Sequence, residues 1–243
     1  MIGILKDITQ HTFSLGIIDL VKVTGTTDST TIEAMAEDRS VIVKAKAHNT
    51  LAEFIGQFGM PNLGKLNILL NIPEYKDDAK ISITSKEDAT GKVPAGIHFE
   101  NKTGDFKNDY RFMSAELVNE KLKSVKFLGV KWGVEFSPTV QSIQRMKFMS
   151  SANSEETTFK AVIEKGELKF FFGDHSSHAG NFVFAAGVTG SLSNGFSWPV
   201  AVFNSILSLP GDKTIKFSDE GAAQITVDSG VVKYDYLIPA QQK

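Results

Sequence analysis

The sequence predicts an α+β fold made of two similar domains, each with two helices packed on antiparallel sheets. Three observations predict it. Most of the 243 residues alternate polar and apolar side chains with period two, the mark of half-buried strands. About four segments carry apolar residues at helical spacing instead. The order of elements also repeats: each half reads helix, strands, second helix, more strands.

The strands come first in the argument. Residues 30–37 and 41–47 alternate on either side of Asp38, Arg39 and Ser40, which reads as a β-hairpin. Residues 80–84 (KISIT), 96–100 (GIHFE), 158–163, 168–172, 181–186, 223–227 and 231–237 read as strands as well. Each is bounded by Gly, Asp, Asn or Ser clusters.

The helices follow. Residues 5–14 place Leu5, Ile8 and Phe13 on one side. Residues 50–58 open with Thr50, Leu51, Ala52 and Glu53, a capping-box pattern. Residues 138–150 have Ser137 as N-cap, Pro138 at the first helical position, and Val140, Ile143 and Met146 recurring on one face. Residues 199–209 again begin with Pro, and Val200, Phe203 and Ile206 or Leu207 form the stripe. After the second helix of the first half, 59–64 is read as a connector and 65–71 as a strand. In the second half the turn 210–212 leads to strands at 213–217, 223–227 and 231–237. The repeat is far longer than a solenoid period, so its meaning is two like domains, 1–115 and 132–243, joined by a charged connector at 116–131. One large β domain is the alternative.

Composition narrows the function. A hydrophobic fraction of 42% and a charged fraction of 22% are those of a globular domain. Without cysteine there is no disulfide framework and no thiolate metal site, which fits a reducing cytoplasm. The opening residues 1–7 have an acid too early and an apolar run too short for a signal peptide. No apolar run approaches the ~20 residues of a membrane span, so no membrane partner is expected. Asp174, His175 and His178 are too few ligands for a metal, and His11, His48 and His98 are scattered. Gly187, Gly190 and Gly195 are not followed by the Gly-Lys-Ser/Thr of a phosphate loop, and Gly-x-Ser-x-Gly is absent. Neither an enzyme nor a cofactor is expected. The net charge of −2 argues mildly against a nucleic-acid partner. A protein that holds DNA loosely, however, needs cations on one face only, with acids elsewhere for solubility.

The two-fold order of helices and sheets resembles the DNA sliding clamp family, and most of all the two-domain clamps of T-even-type bacteriophages. The most specific stretch is 135–145 (EFSPTVQSIQR), which resembles the first helix of the phage clamp's C-terminal domain, with Gln and Arg on its polar side. Residues 159–173 resemble the hairpin after it, and Lys6, Asp7, Ile8 and Thr9 resemble the opening helix. The ending, Tyr234 to Ala240 (YDYLIPA), is similar to the last strand of the eukaryotic clamp, proliferating cell nuclear antigen, but the tail beyond Pro239 is cut short. The opening helix offers only Lys6 and His11 as basic candidates, fewer than the family leads one to expect.

The resemblance implies a non-enzymatic ring, most simply a homotrimer, that encircles double-stranded DNA without reading its sequence and tethers a DNA polymerase after a clamp loader has placed it. It also implies residence in the cytoplasm of an infected host cell. Lys6, Gln141, Gln144, Arg145 and Lys147 would meet phosphates. Phe127, Leu128 and Val130 of the connector, with Tyr236, Leu237, Ile238 and Pro239, would rim a pocket for partner peptides. Unpaired edge strands at 107–113 and 181–188 would join neighbouring copies. The rival expectations are a β-rich phage tail or capsid protein and a carbohydrate-binding β-sandwich. The second would have few helices or none.

Overall fold

The computed structural model describes residues 1–88, 91–123, 129–174 and 178–241. The chain separates into two compact units, Met1–Lys126 with Ser229–Tyr234, and Phe127–Asp228 with Asp235–Lys243.

The first unit opens with α1 (Ile2–His11), whose Ile4, Leu5 and Ile8 are buried. Strands β1 (Leu20–Gly25), β2 (Thr30–Met35) and β3 (Ile42–Ala47) follow, and β2 and β3 form the expected hairpin, with Met35 opposite Ile42. Next come β4 (Gly56–Pro61) and α2 (Leu63–Asn71). Strands β5 (Lys80–Asp88), β6 (Gly91–Glu100) and β7 (Lys107–Arg111) form a separate three-stranded antiparallel sheet in that order. The short β8 (Met113–Ser114) then pairs with β4 and leads into α3 (Ala115–Lys121). The larger sheet of this unit has the order β8-β4-β1-β2-β3. Helix α1 packs beside α2.

The second unit repeats the scheme. After β9 (Val134–Phe136) comes α4 (Val140–Ala152), then β10 (Thr158–Glu164), β11 (Glu167–Phe172) and β12 (Gly180–Ala186). The short β13 (Ser197–Pro199) runs into α5 (Val200–Leu207), followed by β14 (Asp212–Ser218), β15 (Ala222–Asp228) and β16 (Val232–Pro239). One sheet has the order β12-β11-β10-β13; in the other, β14 lies between β15 and β9. Helix α4 packs beside α5 and against β12. Asn204 of α5 donates to Ser150 of α4 at 2.7 Å. The core of this unit is aromatic: Phe159, Phe170, Phe172, Phe184, Trp198, Phe203 and Phe217 are all at or below 1% exposure. Phe170 stacks on Phe184 with centroids 4.3 Å apart, and Phe203 on Phe217 at 5.7 Å. Gly190 has the role its type suggests: at φ +125° its missing Cβ would lie 1.9 Å from the Gly133 carbonyl oxygen, so only glycine lets that loop bridge to β9.

Several elements differ from the sequence expectation. Residues 50–58 are not a helix; a single 3-10 turn at Ala52–Phe54 gives way to β4. Leu51, Phe54, Ile55 and Phe58 stand at helical spacing, but Gly56 adopts φ +115° and residues 56–61 pair with β1 instead. The helix lies one element later, at residues 63–71, where a strand was expected. Leu63, Leu66, Leu69 and Leu70 are buried at spacings of three and four, and the Asn62 side chain accepts from the Lys65 N–H at 3.2 Å. The connector holds α3, capped by Ser114, with Val118 fully buried. In α4 the N-cap is Thr139, not Ser137, and it accepts from Ser142 N–H at 3.0 Å. The expected stripe also winds off its face. Met146 is fully buried, Ile143 is half-buried, and Val140 is 74% exposed. Three residues turn an α-helix by about 300°, so each step of three falls short by about 60°. Val140 therefore stands about 120° away from Met146.

Met146→Ala should lower stability by roughly 2–5 kcal/mol, because it empties a packed site. Phe148→Ala, two residues on, should change it by about 0.5 kcal/mol or less, since Phe148 is 71% exposed. Urea unfolding of the two variants checks the assignment of buried and solvent faces.

Candidate nucleic-acid interface

Each unit presents a pair of helices whose inner stripes are buried and whose outer faces are wet. On α1 the exposed residues are Gly3, Lys6 and Gln10; on α2 they are Lys65, Ile68 and Asn71. On α4 they include Gln141, Gln144, Arg145, Lys147 and Phe148, and on α5 Ala201. The chain carries 28 carboxylate side chains, yet the only one on these four helices is Asp7. Asp7 is itself engaged, since the Tyr234 hydroxyl donates to it at 2.7 Å. The exposed helix faces therefore carry Lys6, Lys65, Arg145 and Lys147 with no carboxylate of their own to offset them. This is the distribution that a near-neutral protein needs in order to attract a polyanion on one kind of surface only.

Arg145 is exposed but not loose. Its Nη1 lies 3.5 Å from the Val183 carbonyl oxygen of β12, and its guanidinium carbon lies 5.8 Å from the centre of the Phe182 ring. Lys147 projects from the same helix. Near it, Lys213 donates to the carbonyls of Leu209 and Gly211 at 2.6 and 2.9 Å, just beyond the C-terminus of α5. Burial pushes the Lys213 ammonium below its ordinary pKa, and the charge of Lys147 adds to that. His11, the other basic candidate of α1, is not on the surface. It is fully buried, and its ring stacks on Tyr234 with centroids 4.6 Å apart. It is a core residue and a correction to the expected basic face. The sequence reading misses Lys65 because it makes 65–71 a strand; Asn62 as a cap before leucines at helical spacing is the signal that finds it. It misses Phe148 because a search for phosphate contacts looks only at the polar residues of α4.

Both expected edges lie at the margins of their sheets. β7 is the last strand after β6, and β12 the last after β11. Along β12 runs an open cleft of ≈ 360 Å³ lined by Thr139, Ser142 and Arg145 on one side and Val183 to Thr189 on the other. The β6–β7 surface is charged. His98 lies 2.8 Å from Asp109 and 3.5 Å from Glu100, while Lys107 and Lys80 lie 2.9 and 3.5 Å from Glu100. The hydrogen bond to Asp109 holds the His98 pKa above its ordinary value, and that from Lys107 holds Glu100 below its own.

The expected pocket for partner peptides fares differently. Phe127 and Leu128 lie outside the described residues, and Val130 is half-buried. Tyr236, Leu237 and Ile238 are 0%, 6% and 1% exposed, and only Pro239 is exposed. Consecutive strand residues point to opposite faces, so three buried in a row mean that both faces of this stretch of β16 are covered. These three are core residues, which corrects the expectation that their side chains rim a pocket. Of the Asp174–His178 stretch, residues 175–177 lie outside the described residues.

No family model matches this sequence, and no curated protein matches it. Solved structures do match its fold. PCNA from Thermococcus kodakaraensis superimposes with a TM-score of 0.70 at 10% identity, over 98% of this chain and 97% of that one. A. fulgidus PCNA, solved with the C-terminal region of FEN-1 bound, gives 0.70 at 9% identity, over 99% and 96%. The PCNA2–PCNA3 complex from Sulfolobus tokodaii gives 0.64 at 12%, over 98% and 96%. The chain thus has the fold of the PCNA sliding clamps along nearly its whole length.

Two outcomes are expected here. Leu237→Ala with Ile238→Ala should destabilise the second unit by several kcal/mol, roughly 2–5 for each site, seen as a shifted urea midpoint. The His98 resonance should titrate above the ordinary value of about 6.5 and fall back toward it in Asp109→Asn. Because the folded pKa is the raised one, the pair stabilises the fold fully below the unfolded pKa. That contribution is lost as pH rises through the folded pKa.

Proposed function

We propose that this chain is the subunit of a DNA sliding clamp: copies close into a ring, most simply a homotrimer, around duplex DNA and tether a DNA polymerase. The observation that carries the reading is the exclusion of carboxylates from the exposed faces of α1, α2, α4 and α5 in a chain of net charge −2. With those helices lining the hole, Lys6, Lys65, Arg145 and Lys147 attract the phosphates whatever the base sequence, with Gln141 and Gln144 as neutral neighbours. Duplex DNA presents one charge per ~1.7 Å of axis, so a lining without directional base contacts holds the ring on while letting it slide.

The fold shared with the PCNA chains supports the same reading. So do the edges of β7 and β12, one in each unit and without a strand partner among the described residues, which two neighbours would pair across a joint and so remove from solvent. The clamp makes and breaks no bond; it raises the effective concentration of its polymerase at the primer end. Loading by a clamp loader, and service to a bacteriophage polymerase in the cytoplasm of an infected host cell, belong to the same proposal.

Native mass spectrometry at micromolar concentration should show a closed oligomer; a monomer at every concentration would remove the ring. Arg145→Gln should lower retention on nicked circular DNA by a similar factor on every template. The loss should shrink as salt rises, because screening removes the advantage of the wild type. A loss confined to one DNA sequence would contradict sliding.

A further inference from the structure

We propose that Phe148 is a DNA-contacting residue that adds an apolar, salt-independent grip to the charged one, by resting on the deoxyribose of the backbone between phosphates. The proposal rests on the clamp reading and deepens it. Phe148 follows Met146 by two residues, about 200° around the helix, so it stands on the crest of α4 opposite the one fully buried side chain. It is 71% exposed. A single exposed apolar residue calls for no explanation. This one is a large aromatic at the centre of a face bounded by Arg145 and Lys147, on a helix that carries no carboxylate. The same combination recurs in the other unit, where Ile68 is 66% exposed on α2 beside Lys65, again on a helix without a carboxylate.

The chemistry selects the occupant. A duplex backbone alternates anionic phosphates with sugars whose carbon faces are apolar, so cations beside an apolar crest match it along its length. A van der Waals contact has no direction and fixes no register, so the ring still slides. It also releases no counterion, so its contribution does not fall with salt as that of a Lys or Arg contact does. With so few cations on these faces, such a contact would hold the ring when the charged grip is screened.

The test is binding of a fluorescent duplex of about 30 base pairs, three turns of B-DNA, to the assembled protein, followed by anisotropy across a salt series. Phe148→Ser should weaken binding about three- to tenfold at every salt concentration, leaving the slope of log affinity against log salt unchanged. Phe148→Leu should recover most of the loss. Arg145→Gln should instead make the slope shallower, by about 0.9 for each phosphate that is no longer neutralised. Far-ultraviolet circular dichroism and the native mass should be those of the wild type in all three. Unchanged affinity in Phe148→Ser, or a change in its salt slope, would overturn the role of Phe148 while an altered slope in Arg145→Gln keeps the clamp reading. Normal duplex binding without polymerase capture would make the crest a protein-docking site and likewise overturn the proposal. If the wild type itself fails to bind this open-ended duplex, the salt-independent grip is overturned, and the clamp reading stands or falls on retention on nicked circular DNA, since a sliding ring can run off free ends.

Discussion

A helix packed on a sheet can bury only one stripe, and every functional feature of this chain depends on which stripe that is. In α4 the choice falls on Met146, which is fully buried and thereby turns Phe148, Gln144, Arg145 and Lys147 to solvent. In α2 the leucines at 63, 66, 69 and 70 are buried, and Lys65 and Ile68 face outward. Apolar burial is worth roughly 25 cal/mol per Å², so a phase shift of one residue would cost several such side chains at once. The position of the cations is therefore not set by the cations. It is a by-product of core packing.

The charge distribution then gives the packed helices a meaning. Carboxylates crowd onto strands and loops: Glu100 and Asp109 hold His98 and Lys107 on the β6–β7 surface, and Asp219 accepts from the backbone N–H groups of Ser193 and Asn194. The paired helices keep only Asp7, bound to the Tyr234 hydroxyl. A net charge near zero and a positive face are thus compatible, because the two signs are sorted by element. On the proposed clamp reading, this sorting is what lets a near-neutral chain hold a polyanion without gripping one sequence.

Where the sequence misleads, it does so for local reasons. Thr50 to Glu53 have the side chains of a helix start, and Leu51, Phe54, Ile55 and Phe58 even have helical spacing, but Gly56 at φ +115° breaks the run and the pairing of β4 with β1 takes the residues that follow. The string LGKLNILLN alternates poorly; its leucine spacing and the Asn62 cap make it a helix and not the expected strand. The stripe of Val140, Ile143 and Met146 looks continuous only if steps of three are counted as whole turns. His11 counts among the cations by residue type, yet it stacks on Tyr234, a residue more than two hundred positions away in sequence. No local pattern announces such a contact.

What the sequence determined by itself was most of the strands, the helices α1, α4 and α5, and the two-fold order: alternation marked the strands, apolar spacing marked those helices, and the repeated order marked two like halves. These follow from side-chain periodicity, which is a local property of the backbone. Which side chains reach the surface was decided only by tertiary structure. Tyr236, Leu237 and Ile238 form an apolar run near the C-terminus that suits an exposed pocket or a buried strand equally well. Their burial, three in a row, means that both faces of this stretch of β16 are covered, which the run itself does not announce. Phe148 is the converse, an aromatic that composition alone would send to the core. Its place on the crest of α4 follows from the burial of Met146, because a helix cannot hide opposite sides against a single sheet.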